Sequence, residues 1–190
     1  MSRLNVHGSS MADLIKVRPI ATLHGGPPPV WDFPELGASE SFLDGEMISL
    51  SGSAGANAVG ITAAGVDASG YGILGFAAQD ASGAVSNFSA VWLATPEVVF
   101  MGNVGHSTSA NAQTAATDLG KAYGLTTLSG RTYVDAAKTS GREVMVRVVG
   151  FENTDVVPSF YGKVHFLVVP QKCQLYNYRS SGILADPVLV

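Results

Sequence analysis

Between about residue 42 and residue 176 apolar and polar positions alternate in short runs, with a period of two more often than the 3.6 of a helix. In "GKVHFLVV", Val164, Phe166 and Val168 fall on one side and Lys163, His165 and Leu167 on the other. Over 142–151, Val144, Val146 and Val148 oppose Glu143, Met145 and Arg147. Alternation of this kind predicts half-buried strands. "EMISL", "AVGITAAGV", "YGILGFAAQ", "PEVVFMGNV" and "RTYVDA" read as further strands, bounded by Gly, Asp, Ser and Asn. One stretch departs from the pattern. "STSANAQTAATDLGKAYGL" offers Ser107, Thr108 or Ser109 as a cap, then Ala112, Ala115, Ala116 and Leu119 at spacings of three and four, then Gly120 as a stop. It predicts one short α-helix, about 108–119, whose small side chains let it lie close to a sheet. The fold expected is mainly β, a small antiparallel β-barrel or sandwich with that one helix and an extended Pro-rich N-terminal arm.

The arm is residues 1–42, which differ from the 43–176 core. Five of the nine prolines are here: Pro19, Pro27, Pro28, Pro29 and Pro34. "HGGPPPVWDFPEL" is pushed toward polyproline II, an extended form without internal hydrogen bonds. It also carries Val30, Trp31, Phe33 and Leu36, which a plain solvated linker has no use for. Two readings stand: a strap over the chain's own core, or an arm reaching a neighbouring subunit. On the second, Pro27, Pro28, Pro29, Val30, Trp31, Phe33 and Leu36 are the expected partner contacts. Residues 177–190 form a tail in which "YRSSGILADPVLV" is a turn and then an apolar run, which adds a strand or engages a partner.

The tetrapeptide Asp-Ala-Ser-Gly occurs twice, at 67–70 and 80–83. Aspartate accepts backbone amides at the start of a turn, and glycine tolerates positive φ later in it. The copies flank nine residues, Tyr71 to Gln79, one strand in length. Paired-carboxylate catalysis needs acids about 5–9 Å apart, whereas a strand that long separates its ends by roughly 30 Å. Both copies are expected to be turns of a meander. Gly72, Gly75, Ala77 and Ala78 between them predict close backbone approach or tight curvature.

Composition narrows the partners. The 190 residues suit one domain, with no need of staples. A single cysteine, Cys173, allows no internal disulfide and no multi-cysteine metal cluster, and fits assembly in a reducing cytoplasm. Charged residues are only 14% of the chain, against roughly 25% in globular proteins, and mean hydropathy is positive. No apolar run approaches a membrane span, and Asp13, Lys16 and Arg18 break the first apolar stretch, so no signal peptide is expected. A chain so poor in charge is expected to have part of its surface covered by another chain. The net charge of −4, with no basic cluster, argues against nucleic acid.

Catalytic candidates are thin. His7, His24, His106 and His165 are far apart, with no metal-ligand spacing. His106 with Ser107 or Asp118 is the one hydrolase-like set, and no Gly-x-Ser-x-Gly elbow supports it. "GSAGANAVG" lacks both phosphate-loop spacings. Cys173 reads as a structural thiol. No catalytic residue, metal or cofactor is expected.

The Ala/Gly/Ser-rich β core resembles the decoration, or cement, proteins of tailed-phage heads. The resemblance runs from about 42 to 174 and is carried most by "ATPEVVFMGNVGHSTSANAQTAATDLGKAYGL", "RTYVDAA" and "EVMVRVVGFENTD". It implies a non-enzymatic virion protein on the capsid exterior, assembled in the host bacterial cytoplasm. Such a protein is often a homo-oligomeric trimer and bridges subunits of the major capsid protein. The rival readings are another phage part (tail tube, head completion or fibre base) and a carbohydrate-binding β-sandwich using Trp31, Trp92 and the tyrosines.

Overall fold

The computed structural model describes residues 14–36, 41–52, 59–63, 72–84, 87–106, 111–139, 141–155 and 157–176. These form eleven strands: β1 (Arg18–Thr22), β2 (Val30–Pro34), β3 (Met47–Gly52), β4 (Val59–Ala63), β5 (Gly75–Ala77), β6 (Phe88–Leu93), β7 (Val98–Gly105), β8 (Ala122–Leu128), β9 (Arg131–Asp135), β10 (Val146–Phe151) and β11 (Lys163–Val168). The fold is mainly β, and it is both a barrel and a sheet.

The barrel runs β7–β11–β10–β8–β9 and closes when β9 returns to β7. Closure is the one parallel pairing among the named strands, Val104↔Val134 and Gly105↔Asp135. On that same side of β7, β1 pairs with the first half of the strand, Arg18 opposite Met101 and Thr22 opposite Val98. Strand β7 therefore exchanges one partner for another near Asn103. The buried Asn103 side chain marks the place: its Oδ1 accepts the Ile15 amide at 2.7 Å and its Nδ2 donates to the Tyr161 carbonyl.

The second sheet is antiparallel throughout, in the order β2-β6-β5-β3-β4. It curls far enough to bring β4 near β2 without pairing to it. One face lies on the barrel. Phe76 of β5 meets Phe100 of β7 at 4.8 Å and Phe166 of β11 at 6.0 Å between ring centroids. Met47, Ile73 and Ala94 join this core alongside Leu125, Val146, Val148 and Val164. The other face buries Phe42, Ile48, Leu74, Ala77, Val91 and Leu93 in a second cluster. Two cores on opposite faces of one sheet explain why β5 is buried at all three positions, and why it reads as a continuous apolar run.

Strand β11 alternates as its sequence predicts, with Val164, Phe166 and Val168 buried. Strand β10 follows that parity only from Val146. Residues Gly141–Glu143 form a 3-10 turn, so the alternation does not extend backward, and Met145 is buried while Val144 is half-buried.

The α-helix expected at about 108–119 is a correction. Residues 107–110 lie outside the described residues. From there on, Gln113 bridges to Phe160 and Ala116–Asp118 forms a short 3-10 helix, with no α-helix among the described residues of the segment. Short polar side chains compete with the helical backbone. Asp118 Oδ2 accepts the Ala115 amide at 2.7 Å, and Thr114 Oγ1 accepts the Ser159 amide at 3.1 Å, which ties the segment across to the loop before β11. Gly120 does end the segment at positive φ, but the chain then enters strand β8. The hairpin of β8 with β9 turns on Ser129 and Gly130, both at positive φ, the geometry that a two-residue hairpin loop requires.

Residues 14–36, expected as an extended arm, are woven into both sheets of their own chain: β1 on β7, β2 on β6. Each is a terminal strand of its sheet. Pro19 and Pro34 stand within them, as proline can on an edge where its missing donor is not needed.

Candidate functional site

The second Asp-Ala-Ser-Gly copy lies in the loop that joins β5 to its antiparallel neighbour β6, with Gly83 at φ +70, but it forms no regular turn of its own. The first copy lies outside the described residues. A carboxylate does bind the backbone of this loop, but it comes from elsewhere. Glu35, only 3% exposed, accepts the Ser82 amide at 2.7 Å, the Gly83 amide at 3.0 Å and the Ser89 hydroxyl at 2.7 Å. Asp80 Oδ1 accepts the Asp44 amide at 2.8 Å. Glu35 was not legible as a site in the sequence. The available signal was a lone acid directly after Pro34 at the end of an apolar strand.

Burial raises the Glu35 pKa, and the hydrogen bonds from Ser82, Ser89 and Gly83 more than reverse that, so the carboxyl is held below its ordinary value. A depressed folded pKa gives stability that is complete above the unfolded value of about 4.3 and disappears as pH falls through the folded value. Glu35→Gln is therefore expected to be less stable than the parent at neutral pH, with the gap closing as pH falls below the ordinary carboxylate range and through the folded value. Urea titrations across that range measure it; a gap that stays constant into acid would contradict it.

The other acid–base candidates are engaged structurally. Asp118 accepts the Tyr123 hydroxyl at 2.7 Å as well as the Ala115 amide. Burial and the Asp118 carboxylate together push the Tyr123 pKa up. His106 lines a cleft of about 120 Å³ with Tyr133 and Tyr161; Ser107 lies outside the described residues. His24 stands 3.6 Å from Glu97, and His165 stands 3.7 Å from Glu152. His7 lies outside the described residues. Among the described residues no three His, Cys, Asp or Glu side chains gather as a metal site. Cys173 is fully buried with its thiol toward the Val168 and Val169 carbonyls, and burial pushes its pKa up to about 12. A thiol held protonated in this way is a poor nucleophile. No helix among the described residues is long and apolar enough to cross a membrane.

What remains is surface. The β2–β6 ribbon carries uncovered apolar side chains on both faces. Register places Val30 and Phe88 on one face and Trp31 on the other. Val30 is 44%, Trp31 61% and Phe88 62% exposed. Trp31 is held by its neighbour Phe33, rings 6.5 Å apart and 29° from parallel, while Phe33 packs on the second core. Of the expected contact residues, Pro27, Val30 and Trp31 are exposed, and Pro28, Pro29, Phe33 and Leu36 are half-buried. Phe88 was not singled out from sequence; its pairing opposite Pro34 brings it in. A cleft of about 370 Å³ opens beside the ribbon, between Thr22, His24, Pro27, Pro29, Glu97 and Tyr176. No protein-family model, curated protein or solved structure matches this chain.

Proposed function

We propose that this chain is a capsid decoration protein. It binds the exterior of an assembled tailed-phage head as a homo-oligomer, specifically a trimer, and bridges neighbouring subunits of the major capsid protein. The observation that carries the reading is the β2–β6 ribbon, which exposes Val30 and Phe88 on one face and Trp31 on the other, at the edge of a charge-poor body. An edge ribbon of this kind is a liability unless something covers it. Trp and Phe side chains are the usual anchors of an interface core. A protein that fits only the composite surface of an assembled shell stabilises that shell by mass action, because separated subunits lack the site. Several weak contacts per oligomer then add through effective concentration. Neither catalysis nor a cofactor enters this function.

The test is sedimentation with assembled shells and, separately, with free shell subunits. The parent chain is expected to pellet with shells and to ignore the subunits. Trp31→Ser combined with Phe88→Ser is expected to weaken attachment by at least about thirtyfold, the effect of losing roughly 2 kcal/mol of anchor contact. Both side chains face solvent, so the fold's own stability should change by no more than about 1 kcal/mol. Undiminished attachment of the double variant would remove the ribbon from the interface. Deleting the whole N-terminal segment is a poorer test, since it also strips β1 from the barrel and β2 from the second sheet.

Trp31 also favours a second reading. An exposed indole stacked on Phe33 is a platform on which a sugar ring could lie. Binding of the isolated chain to glycans, lost in Trp31→Ser, would select that reading over shell attachment.

A further inference from the structure

The cleft of about 120 Å³ beside the β8–β9 turn takes its walls from three parts of the chain. Gly105 and His106 come from the end of β7, Leu128, Ser129 and Tyr133 from the β8–β9 hairpin, and Tyr161 from the loop before β11. Tyr133 is only 9% exposed. Its hydroxyl has no hydrogen-bond partner among the described residues. Nor is that hydroxyl sealed in, since His165 Nε2 is the one sealed side-chain polar atom without a partner among them. The little surface Tyr133 keeps therefore includes its hydroxyl, and the cleft is where that surface lies. Burial raises the Tyr133 pKa, against the charge of Arg131 and with Tyr161 adding to the rise, so the phenol keeps a proton to donate at neutral pH.

The backbone holds both rings in place. A Cβ on Gly105 would come within 2.6 Å of the Tyr133 Cβ, so only a bare glycine lets Tyr133 lie there. Tyr161 stands at φ +51, in the left-handed region where a bulky residue is rare. Its amide donates to the Ala112 carbonyl at 2.7 Å and its carbonyl accepts Asn103 Nδ2, which pins that conformation from both sides. The two tyrosine rings are 6.3 Å apart and inclined at 56°.

We propose that this cleft binds one neutral pyranose ring of a saccharide, at a site that shares no residue with the β2–β6 ribbon and does not depend on shell attachment. The C–H face of a pyranose is apolar and can lie on an aromatic ring. Its hydroxyls both donate and accept, as do the two phenols and Ser129. The described lining has no carboxylate, ammonium or guanidinium group to pair with a charged ligand. Arg131 belongs to the neighbouring cleft, with Lys16, Asp44 and Asp80. Walls fixed before binding keep the ordering cost low.

The tyrosine ring signals are followed by NMR as glucose, galactose, mannose and N-acetylglucosamine are added separately, with N-acetylprolinamide as a ring-sized peptide probe. At least one sugar is expected to shift Tyr133 and Tyr161 saturably, with a dissociation constant of about 1 mM, and to leave Trp31 unmoved. Tyr133→Phe keeps the ring and removes the hydroxyl, and is expected to weaken that binding about tenfold with the thermal midpoint unchanged. Tyr161→Phe is expected to weaken it similarly, and decides the matter if Tyr133→Phe fails to fold. No saturable shift with any of the four sugars overturns the proposal. So does a response to N-acetylprolinamide alone, which makes the cleft a peptide pocket. Binding unaltered in both Phe variants, or a shift confined to Trp31, overturns it as well.

Discussion

Phe76→Ala is expected to lower the unfolding free energy by about 3–5 kcal/mol, a large part of the 5–15 kcal/mol typical of a domain. Phe76 is fully buried and is the aromatic that the second sheet lends to the barrel, where it tilts against Phe100 and meets the edge of Phe166. Removing its ring takes away transfer free energy and leaves a cavity that strands from two sheets cannot collapse into without shifting. The loss falls at the joint between the layers, so the second sheet should become labile first. Urea unfolding followed by two probes tests this. In the parent, Trp92, packed against the barrel core, and the backbone signal should report one transition. In Phe76→Ala the midpoint drops sharply and the Trp92 signal leads. A midpoint shift worth less than about 1 kcal/mol would show that the joint is not held by this ring.

Gly75→Ala, one residue earlier, should be almost as damaging for the opposite reason. A Cβ at Gly75 would overlap the Trp92 carbonyl oxygen and come within 3.1 Å of the Ala94 amide nitrogen. These are backbone atoms of the neighbouring strand, not the tip of a side chain that can swing aside. Strands β5 and β6 would have to part where Gly75 stands opposite Leu93. Overpacking of a core typically costs 1–3 kcal/mol, and a clash with backbone belongs at about 3 kcal/mol or above. The midpoint of thermal unfolding reads it directly; a midpoint within a degree or two of the parent's would refute the close approach. The two variants bracket one strand: too little at Phe76, too much at Gly75.

The same strand shows what the sequence could and could not reveal. The density of glycine and alanine over 71–79 was legible as close backbone approach, and the Gly75 environment is that. The alternation of β11 was legible because it depends on neighbours in sequence; at 80–83 only the chain reversal between β5 and β6 was, since Asp80 accepts the distant Asp44 amide and not a local one. Barrel closure was not, because it rests on two parallel pairs between β7 and β9, which no local period encodes. The helix expected over 108–119 fails for a similar cause. Alanines at helical spacing were a fair local signal, but Thr114 bonds to Ser159, 45 residues away, and Asp118 bonds to Tyr123. Polar partners outside the segment outweighed a weak propensity. Strands β1 and β2 were hidden by their own prolines, which suit edges and mimic linkers. At the candidate interface Val30 and Trp31 stood out as apolar residues with no local use, whereas Phe88 needed the β2–β6 register to join them. Glu35 could not be assigned from sequence because its partners, Ser82, Gly83 and Ser89, come about 50 residues later.

The most direct test of the account is electron cryo-microscopy of particles that carry this chain. The account predicts density on the outside of the head, at junctions between shell subunits, with the β2–β6 ribbon and Trp31 turned into the contact. Density on the tail, or a ribbon left facing solvent while another surface meets the shell, would contradict it.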